Sequence, residues 1–308
     1  MTVKRYIAKR LVISIITIWA LATFSFFLLR TLPGNPFQTE QLLKPEIQEK
    51  MMSYYGLDKP LLEQYFTYMG NLLHGDMGYS FKYTNRSVWD IIRQTFPISA
   101  DLGLRSLAVG YPVGLLLGTI AARRRGKKAD YLCVLISVLG VSVPNFVIGS
   151  LLQWIFGVKT GLLPIAQWKG FSYTILPTIT LSIATIASLV RTMRASMLEV
   201  ENQDYMKTAK AKGLGEKEIV WRHQLRNAMI PIVTGLGPAV ATTLMGSFIV
   251  EQLFSIPGIG KHFTESVQAL DYTMVLGLTI FFGIFLVAAN FIVDILYGII
   301  DPRIRITD

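Results

Sequence analysis

Six stretches of the chain are apolar over a length that can cross a bilayer. A transmembrane helix needs about 20 mostly apolar residues to cross about 30 Å of hydrocarbon. The stretches lie at about 11–29, 98–122, 131–157, 175–195, 229–250 and 274–299. The pattern therefore predicts an all-α polytopic membrane protein with six transmembrane helices.

The first and third stretches need separate interpretation. Four basic residues precede the first stretch, as in a signal peptide, but it is too long for a typical signal-peptide core and no small-x-small cleavage site follows before Arg30. We therefore predict an uncleaved first helix. Pro144 lies inside the third stretch, so that helix could consist of two half-helices.

Composition supports the same class. Of 308 residues, 52% are hydrophobic and 16% charged, whereas about a quarter are charged in soluble domains. A net charge of +10 would suggest nucleic acid on a soluble chain. Here the cations lie between long apolar stretches, which argues against nucleic acid and favours membrane lipid as the anionic partner.

The distribution of Lys and Arg predicts the orientation of the helices. Nineteen of them lie in four segments on one side: 1–10, 123–130, 191–228 and 299–308. The short loops on the other side, 158–174 and 251–273, contain three. Both termini are therefore expected in the cytoplasm. We divide the chain into a first helix with an external segment (1–97), a five-helix core (98–299) and a cytoplasmic tail (300–308).

Two regions outside the bilayer are long enough to fold locally. In the external segment, apolar residues from Leu61 to Leu73 recur at helical spacing and predict an amphipathic helix that lies on the membrane or packs on the bundle. In the cytoplasmic loop at about 196–228, Gly213 suits the left-handed residue after a helix. Periodicity alone leaves this loop either a helix that docks into a partner or a basic loop near lipid headgroups.

Within the apolar stretches, a few residues are candidates for helix contacts. Gly110, Gly114 and Gly118 form a doubled GxxxG pattern, which indicates close packing against another helix of this chain or a second one. Asp101 and Arg105 are four residues apart and are expected to form a structural ion pair.

Motifs for catalysis and metal binding are absent from the sequence. The three histidines lack metal-ligand spacing, and the single cysteine excludes a disulfide. Residues 255–262 resemble a phosphate-binding loop, but Ser255 replaces its first glycine and His262 its hydroxyl residue. We predict no catalytic residue, no metal site and no ATP site in this chain.

The cytoplasmic loop resembles the coupling loop of binding-protein-dependent ABC importer permeases, whose pattern is E-A-A-x3-G-x9-I-x-L-P. Aligned on Gly213, this chain has Lys207-Thr208-Ala209 for E-A-A, with further departures at His223 and Arg226. These departures resemble the variant of the peptide and nickel branch. Residues 56–65, 75–81, 247–263 and 297–305 also resemble that branch, most closely the B-type permease subunit of oligopeptide importers.

The resemblance implies a type I ABC importer permease fold in a bacterial-type cell membrane. The implied partners are a second homologous permease, two cytoplasmic ABC ATPase subunits that bind ATP and Mg²⁺, and an extracytoplasmic peptide-binding protein. The implied ATPase-coupling residues are Asp204, Tyr205, Lys207, Thr208, Ala209, Lys210, Ala211, Lys212, Gly213 and Leu214. The implied residues facing the binding protein are Glu251, Pro257, Gly258 and Gly260.

The leading functional prediction is a transport subunit for peptides, in particular oligopeptides, without covalent chemistry of its own. One alternative is the same importer class carrying nickel or another small solute. Another is an ion-coupled secondary transporter, which would need ionisable groups near the bilayer midplane. Asn145 and Gln153 are candidates to line the pathway or, alternatively, to hydrogen-bond between helices.

Overall fold

The computed structural model describes residues 3–31, 52–53, 56–83 and 86–300. In these residues the fold is helical, and the one bridge between extended segments joins Tyr79 to Ser87. Five helices are long and apolar enough to cross a membrane, and a bent pair supplies the sixth. The predicted all-α fold of a polytopic membrane protein is therefore confirmed, with six segments when the bent pair is counted as one. The predicted tail (300–308) lies outside the described residues except for Ile300.

The α-helices are α1 Val3–Thr31, α2 Leu61–Leu73, α3 Val88–Arg123, α4 Lys128–Ser142, α5 Asn145–Leu152, α6 Phe171–Glu201, α7 Asp204–Ala211, α8 Glu216–Glu218, α9 Leu225–Ala228, α10 Ile230–Leu244, α11 Phe248–Leu253, α12 Ile259–Gln268 and α13 Tyr272–Ile300. Two π-helical stretches, π1 Gln153–Lys159 and π2 Ile219–Gln224, follow α5 and α8 directly.

The first of two compact units contains the described parts of Met1–Ile98 together with Gly258–Phe291. In it, the helix predicted between Leu61 and Leu73 is present as α2. Tyr65 of α2 is buried beside Phe26 of α1, and its hydroxyl lies 2.8 Å from that of Thr23. The amphipathic helix therefore packs on the first transmembrane helix, which was one of the two predicted arrangements.

The helix α3 begins ten residues before the apolar stretch that predicted it. Ser87 caps its first turn: the Asp90 backbone N–H donates to the Ser87 hydroxyl at 3.1 Å, and that hydroxyl donates to the Asp90 carboxylate at 2.6 Å. The Ser87 hydroxyl is thus an N-cap, which satisfies one of the backbone donors that a helix start leaves unpaired. Val88 and Ile91 then pack in the core of the first unit with Ile259 of α12.

The second unit consists of Ser99–Pro257 with the described start of Ile292–Arg305, and it is organised around α6. Between α4 and α5 the helix direction changes by 104°. Pro144 lies at the bend and directly precedes α5. Proline cannot donate the backbone hydrogen bond that would continue α4, and its ring clashes with the preceding turn. The predicted break of the third transmembrane segment is thus present at Pro144.

Candidate functional site

The segment predicted to couple to an ATPase (residues 204–228, the coupling segment) begins with α7, which ends in a defined turn. Gly213 has φ of +76°, in the left-handed region that only glycine adopts without strain. Its N–H donates to the Lys210 carbonyl at 3.0 Å, and the Leu214 N–H donates to the Ala209 carbonyl at 3.4 Å. These two bonds form a Schellman motif, which closes the helix and fixes the direction in which the chain leaves it.

The helix α7 is attached to the second unit by one face. Met206 and Ala209 are 1% and 6% exposed and pack against Ile219 of π2. At about 100° per residue, the opposite face consists of exposed residues: Asp204, Lys207, Thr208 and Ala211. An ion pair of 2.8 Å between Lys207 and Asp204 lies on this face. The exposed face is available to a partner while the buried face holds the helix in place.

Two aromatic residues of the coupling segment also reach the surface. Tyr205 is 43% exposed and Trp221 is 74% exposed. Partial burial raises the pKa of Tyr205 further above its usual range, and its protonated hydroxyl can donate a hydrogen bond. Aromatic side chains of this kind supply contact area in protein interfaces.

The second half of the coupling segment is anchored on α6. Val220 of π2 packs with Met193 and Met197 of α6. The buried Gln224 side chain donates a hydrogen bond from Nε2 to the Met197 carbonyl at 3.0 Å. π-Helical stretches are rare and occur frequently at functional sites. A displacement of α7 would reach α6 through these contacts.

A buried ion pair joins α4 to the same part of α6. Arg194 Nε and Nη2 donate to the two oxygens of Asp130 at 2.7 and 2.8 Å. The Asp130 side chain is 4% exposed, and it also accepts the Gly126 N–H at 2.9 Å. Such bidentate pairs are both strong and directional. The pair therefore fixes the loop before α4 against the helix that leads into the coupling segment.

The doubled GxxxG pattern of α3 lies against α6. A Cβ placed on Gly114 would be 2.7 Å from the Leu189 Cβ, and one on Gly118 would be 2.7 Å from the Met193 Cβ. A Cβ on Gly110 would be 3.0 Å from Thr185. Small residues let two helices approach closely in a membrane, where lipid provides no hydrophobic drive for association. The partner of this face is thus a helix of the same chain.

The predicted pair within α3 is also formed. Arg105 Nε lies 2.9 Å from Asp101 Oδ2, and the two side chains are 38% and 44% exposed. Unlike the Asp130 pair, this pair joins two residues of one helix and no second helix. The Arg105 guanidinium also lies over the Phe171 ring of α6, 5.8 Å from its centroid, so its contact with a second helix is a cation–π contact and not an ion pair.

The four residues predicted to face a binding protein differ in exposure. Pro257 is exposed, whereas Glu251, Gly258 and Gly260 are buried. Within the second unit, Glu251 accepts a hydrogen bond from the Ser99 hydroxyl at 2.7 Å. The glycines belong to the first unit, where Gly258 directly precedes α12. The role of these residues stays a prediction.

The first unit contains a polar cluster that the sequence did not indicate. The buried Asp271 carboxylate accepts the hydroxyl of Ser80 and, at 3.1 Å, the backbone N–H of Lys82. Glu265 accepts Tyr83 Oη at 2.6 Å and Lys82 Nζ at 3.0 Å. Burial alone would raise the pKa of Glu265, but these hydrogen bonds and the nearby lysine charges lower it to about 2. The cluster therefore holds residues 80–83 against α12 and the start of α13.

Gln153 is one of the two polar residues predicted either to line the pathway or to hydrogen-bond between helices, and it forms a hydrogen bond to a second helix. Its Nε2 donates to the Ile165 carbonyl at 2.8 Å and to the Leu253 carbonyl at 3.1 Å. Asn145 is half-buried at the start of α5. Among the residues that the structure describes, no three His, Cys, Asp or Glu side chains are grouped as a metal site would require.

Two family descriptions match the chain. Residues 114–306 match "Binding-protein-dependent transport system inner membrane component", and residues 3–103 match its N-terminal counterpart. The dipeptide transport system permease protein DppB of Lactococcus lactis subsp. cremoris (strain MG1363) is 43% identical over 302 residues, which cover 98% of this chain and 99% of that protein.

An oligopeptide permease is equally similar. The oligopeptide transport system permease protein OppB of Haemophilus influenzae (strain ATCC 51907 / DSM 11121 / KW20 / Rd) is 43% identical over 303 residues, covering 98% of this chain and 99% of that protein. Among solved structures, "Crystal structure of an amino acid ABC transporter with histidines" superposes with a TM-score of 0.53 at 13% identity. It covers 68% of this chain and 93% of that chain, and it bears on the fold alone.

Proposed function

The chain belongs to the family of binding-protein-dependent transport system inner membrane components, and on that premise we propose that it is a permease subunit of an ATP-driven peptide importer. The observation that carries the proposal is identity of 43%, over almost the whole of both chains, to a dipeptide permease and to an oligopeptide permease. With a second homologous permease it forms the pathway for peptides, in particular oligopeptides, that an extracytoplasmic binding protein delivers.

The energy comes from partners. Two cytoplasmic ABC ATPase subunits bind ATP and Mg²⁺, while this chain carries out no covalent step. ATP can change the conformation of the permease only if the complex binds it more tightly in one conformation than in the other. The chain must therefore transmit a movement between the ATPases and the transmembrane helices.

The coupling segment has the contacts that such transmission requires. The exposed face of α7 docks into an ATPase cleft, while Met206 and Ala209 attach the helix to Ile219. The packing of π2 on α6, with the Gln224 hydrogen bond to the Met197 carbonyl, carries the movement to a transmembrane helix. On the opposite side of the membrane, the external segment and residues 251–273 receive the binding protein.

Crosslinking tests the docking face. In a Cys133→Ser background, single cysteines replace Thr208 or Ala211 on the exposed face of α7, and Ala209 on its buried face serves as the matched control. We expect a bifunctional maleimide to capture an ATPase subunit from the two exposed positions only, with a yield that changes on adding ATP. Active transport without capture from either position would contradict the assignment.

Uptake tests the cargo independently. Cells that lack this chain should regain ATP-dependent accumulation of labelled peptides of two to five residues when it is restored together with its partner subunits. Restored accumulation of nickel ions, without accumulation of peptides, would refute the peptide assignment and leave the coupling assignment intact.

A further inference from the structure

The turn between α3 and α4 carries an unusual density of positive charge. Five of its six residues (123–128, the cationic turn) are basic, and all six are exposed. Gly126 has φ of +73° and donates its N–H to Asp130, which Arg194 holds in place. The cationic turn is therefore a fixed surface rather than a loose loop.

Few of these charges have an acidic neighbour within the described part of the chain: Arg125 lies near Asp130, which is already paired with Arg194. Arg123 lies 3.9 Å from the exposed Glu216, at the limit of an ion pair. No ion pair is formed by the other four: Arg124, Arg125, Lys127 and Lys128. Four like charges held this close repel one another, so an anion bound among them would stabilise the turn.

The helix that follows the cationic turn has one apolar exposed face. Residues at helical spacing on this face are 47% to 70% exposed: Tyr131, Leu132, Leu135, Val138 and Leu139. Lys128 begins the same face. The opposite face buries Asp130, Cys133, Ser137 and Gly140. One continuous surface thus runs from clustered cations to about two turns of apolar side chains.

We propose that the cationic turn binds the phosphate of an anionic phospholipid, whose acyl chains lie along the exposed face of α4. The charges alone would also suit an acidic protein surface. The apolar face directly beside them would not, because a soluble partner would leave it uncovered, whereas a phospholipid has both parts in this order. Lipid binding of this kind requires only that α4 lies in a bilayer, and it is independent of which solute is carried.

Native mass spectrometry of the intact transporter tests the site. The complex is equilibrated with equal amounts of phosphatidylglycerol and phosphatidylcholine, and the lipid retained on it is counted. The test variant is Arg124→Gln/Arg125→Gln/Lys127→Gln/Lys128→Gln. The matched control, Lys59→Gln/Lys159→Gln/Lys169→Gln/Lys217→Gln, removes the same charge from exposed positions outside the cationic turn and outside α7.

The wild type and the control should retain phosphatidylglycerol in preference to phosphatidylcholine. The test variant should retain about tenfold less phosphatidylglycerol than the wild type, or even less, since each Lys or Arg near anionic lipid adds to the attraction. Equal retention by test and control variants would overturn the proposal. So would a test variant that keeps its lipid but loses its ATPase subunits, because that result would assign the turn to a protein partner.

Two further arms keep the result interpretable. The milder variant Arg125→Gln/Lys127→Gln should show intermediate retention even if the fourfold variant inserts poorly. Glycerol 3-phosphate, a headgroup without acyl chains, should displace little phosphatidylglycerol from the wild type. Displacement at concentrations equal to those of the lipid would overturn the part assigned to α4. Lipid retention does not depend on peptide uptake, so failure of this proposal and failure of the peptide assignment are distinguishable.

Discussion

The contact between α3 and α6 and the coupling segment both depend on glycine, but for different physical reasons. At Gly114 the backbone is an ordinary helix, and the constraint is space: an added Cβ would meet Leu189 at 2.7 Å and the Ile186 Cα at 3.2 Å. At Gly213 an added Cβ would meet nothing within 4 Å, and the constraint is the backbone φ of +76°. At Gly114 a larger side chain has no space, and at Gly213 a residue with a Cβ would be strained by the backbone conformation.

The difference follows from the surroundings of each region. Inside the bilayer, helices associate through close packing, so the absence of a side chain is what lets the two helices come into contact. Outside the long apolar helices, α7 is short and must end where its exposed face stays accessible, so the turn after it determines its placement. The first region stabilises the unit, whereas the second orients a surface, and substitutions should separate these two roles.

The largest effect is expected from Gly114→Leu. The added side chain would collide with both a side chain and the backbone of α6, and overpacking of this kind costs about 1–3 kcal/mol or more. Less intact complex should be recovered from membranes, and its thermal unfolding midpoint should fall. Gly235→Leu is the control, because nothing lies within 4 Å of a Cβ at that position of α10. Equal losses in both variants would show that the contact with α6 is not the cause.

The next effect is expected from Asp130→Ala, which acts where α4 meets α6. It leaves the Arg194 guanidinium and the Gly126 N–H without their acceptor, and losing hydrogen bonds to a charged group costs about 1.5–3 kcal/mol. The thermal unfolding midpoint of the complex should fall. It should fall less in Arg194→Lys, because lysine keeps the charge although it loses the bidentate geometry. A lysine variant as unstable as the alanine variant would mean that geometry alone matters.

A smaller effect on stability, but a large effect on transport, is expected from Gly213→Val. A left-handed conformation costs a residue with a Cβ about 1–2 kcal/mol, and a β-branched residue resists it most. The turn should open, so the complex should be recovered in normal amounts while ATP-driven peptide uptake falls sharply. Gly215→Ala is the control, since Gly215 has φ of −64° and open space around it. Normal uptake by the Gly213 variant would remove this turn from the coupling mechanism.

Local patterns in the sequence predict part of what distinguishes these two regions, but contacts between residues far apart in the chain are not predicted by them. The doubled GxxxG pattern indicates a close helix contact, and Gly213 indicates a helix end, because both are local patterns. That α6 is the partner of Gly114 depends on residues about 70 positions further along the chain. The Asp130–Arg194 pair spans 64 positions and has no local signal. The burial of Glu251 likewise depends on Ser99, which lies 152 residues earlier.

The smallest effect is expected from Asp101→Asn, which removes an ion pair of 2.9 Å that joins no second helix. Both side chains are more than a third exposed, so solvent screens the attraction and the expected cost is about 0–1 kcal/mol. The thermal unfolding midpoint should therefore stay close to that of the wild type, and far above that of Asp130→Ala. Both variants remove a carboxylate from the same unit, but Asp101→Asn keeps an oxygen that can accept from Arg105. Asp101→Ala is therefore measured beside it, and its difference from Asp130→Ala shows what linking two helices adds. If Asp101→Asn destabilised the complex as much as Asp130→Ala does, exposure and connectivity would not explain the stability of either pair.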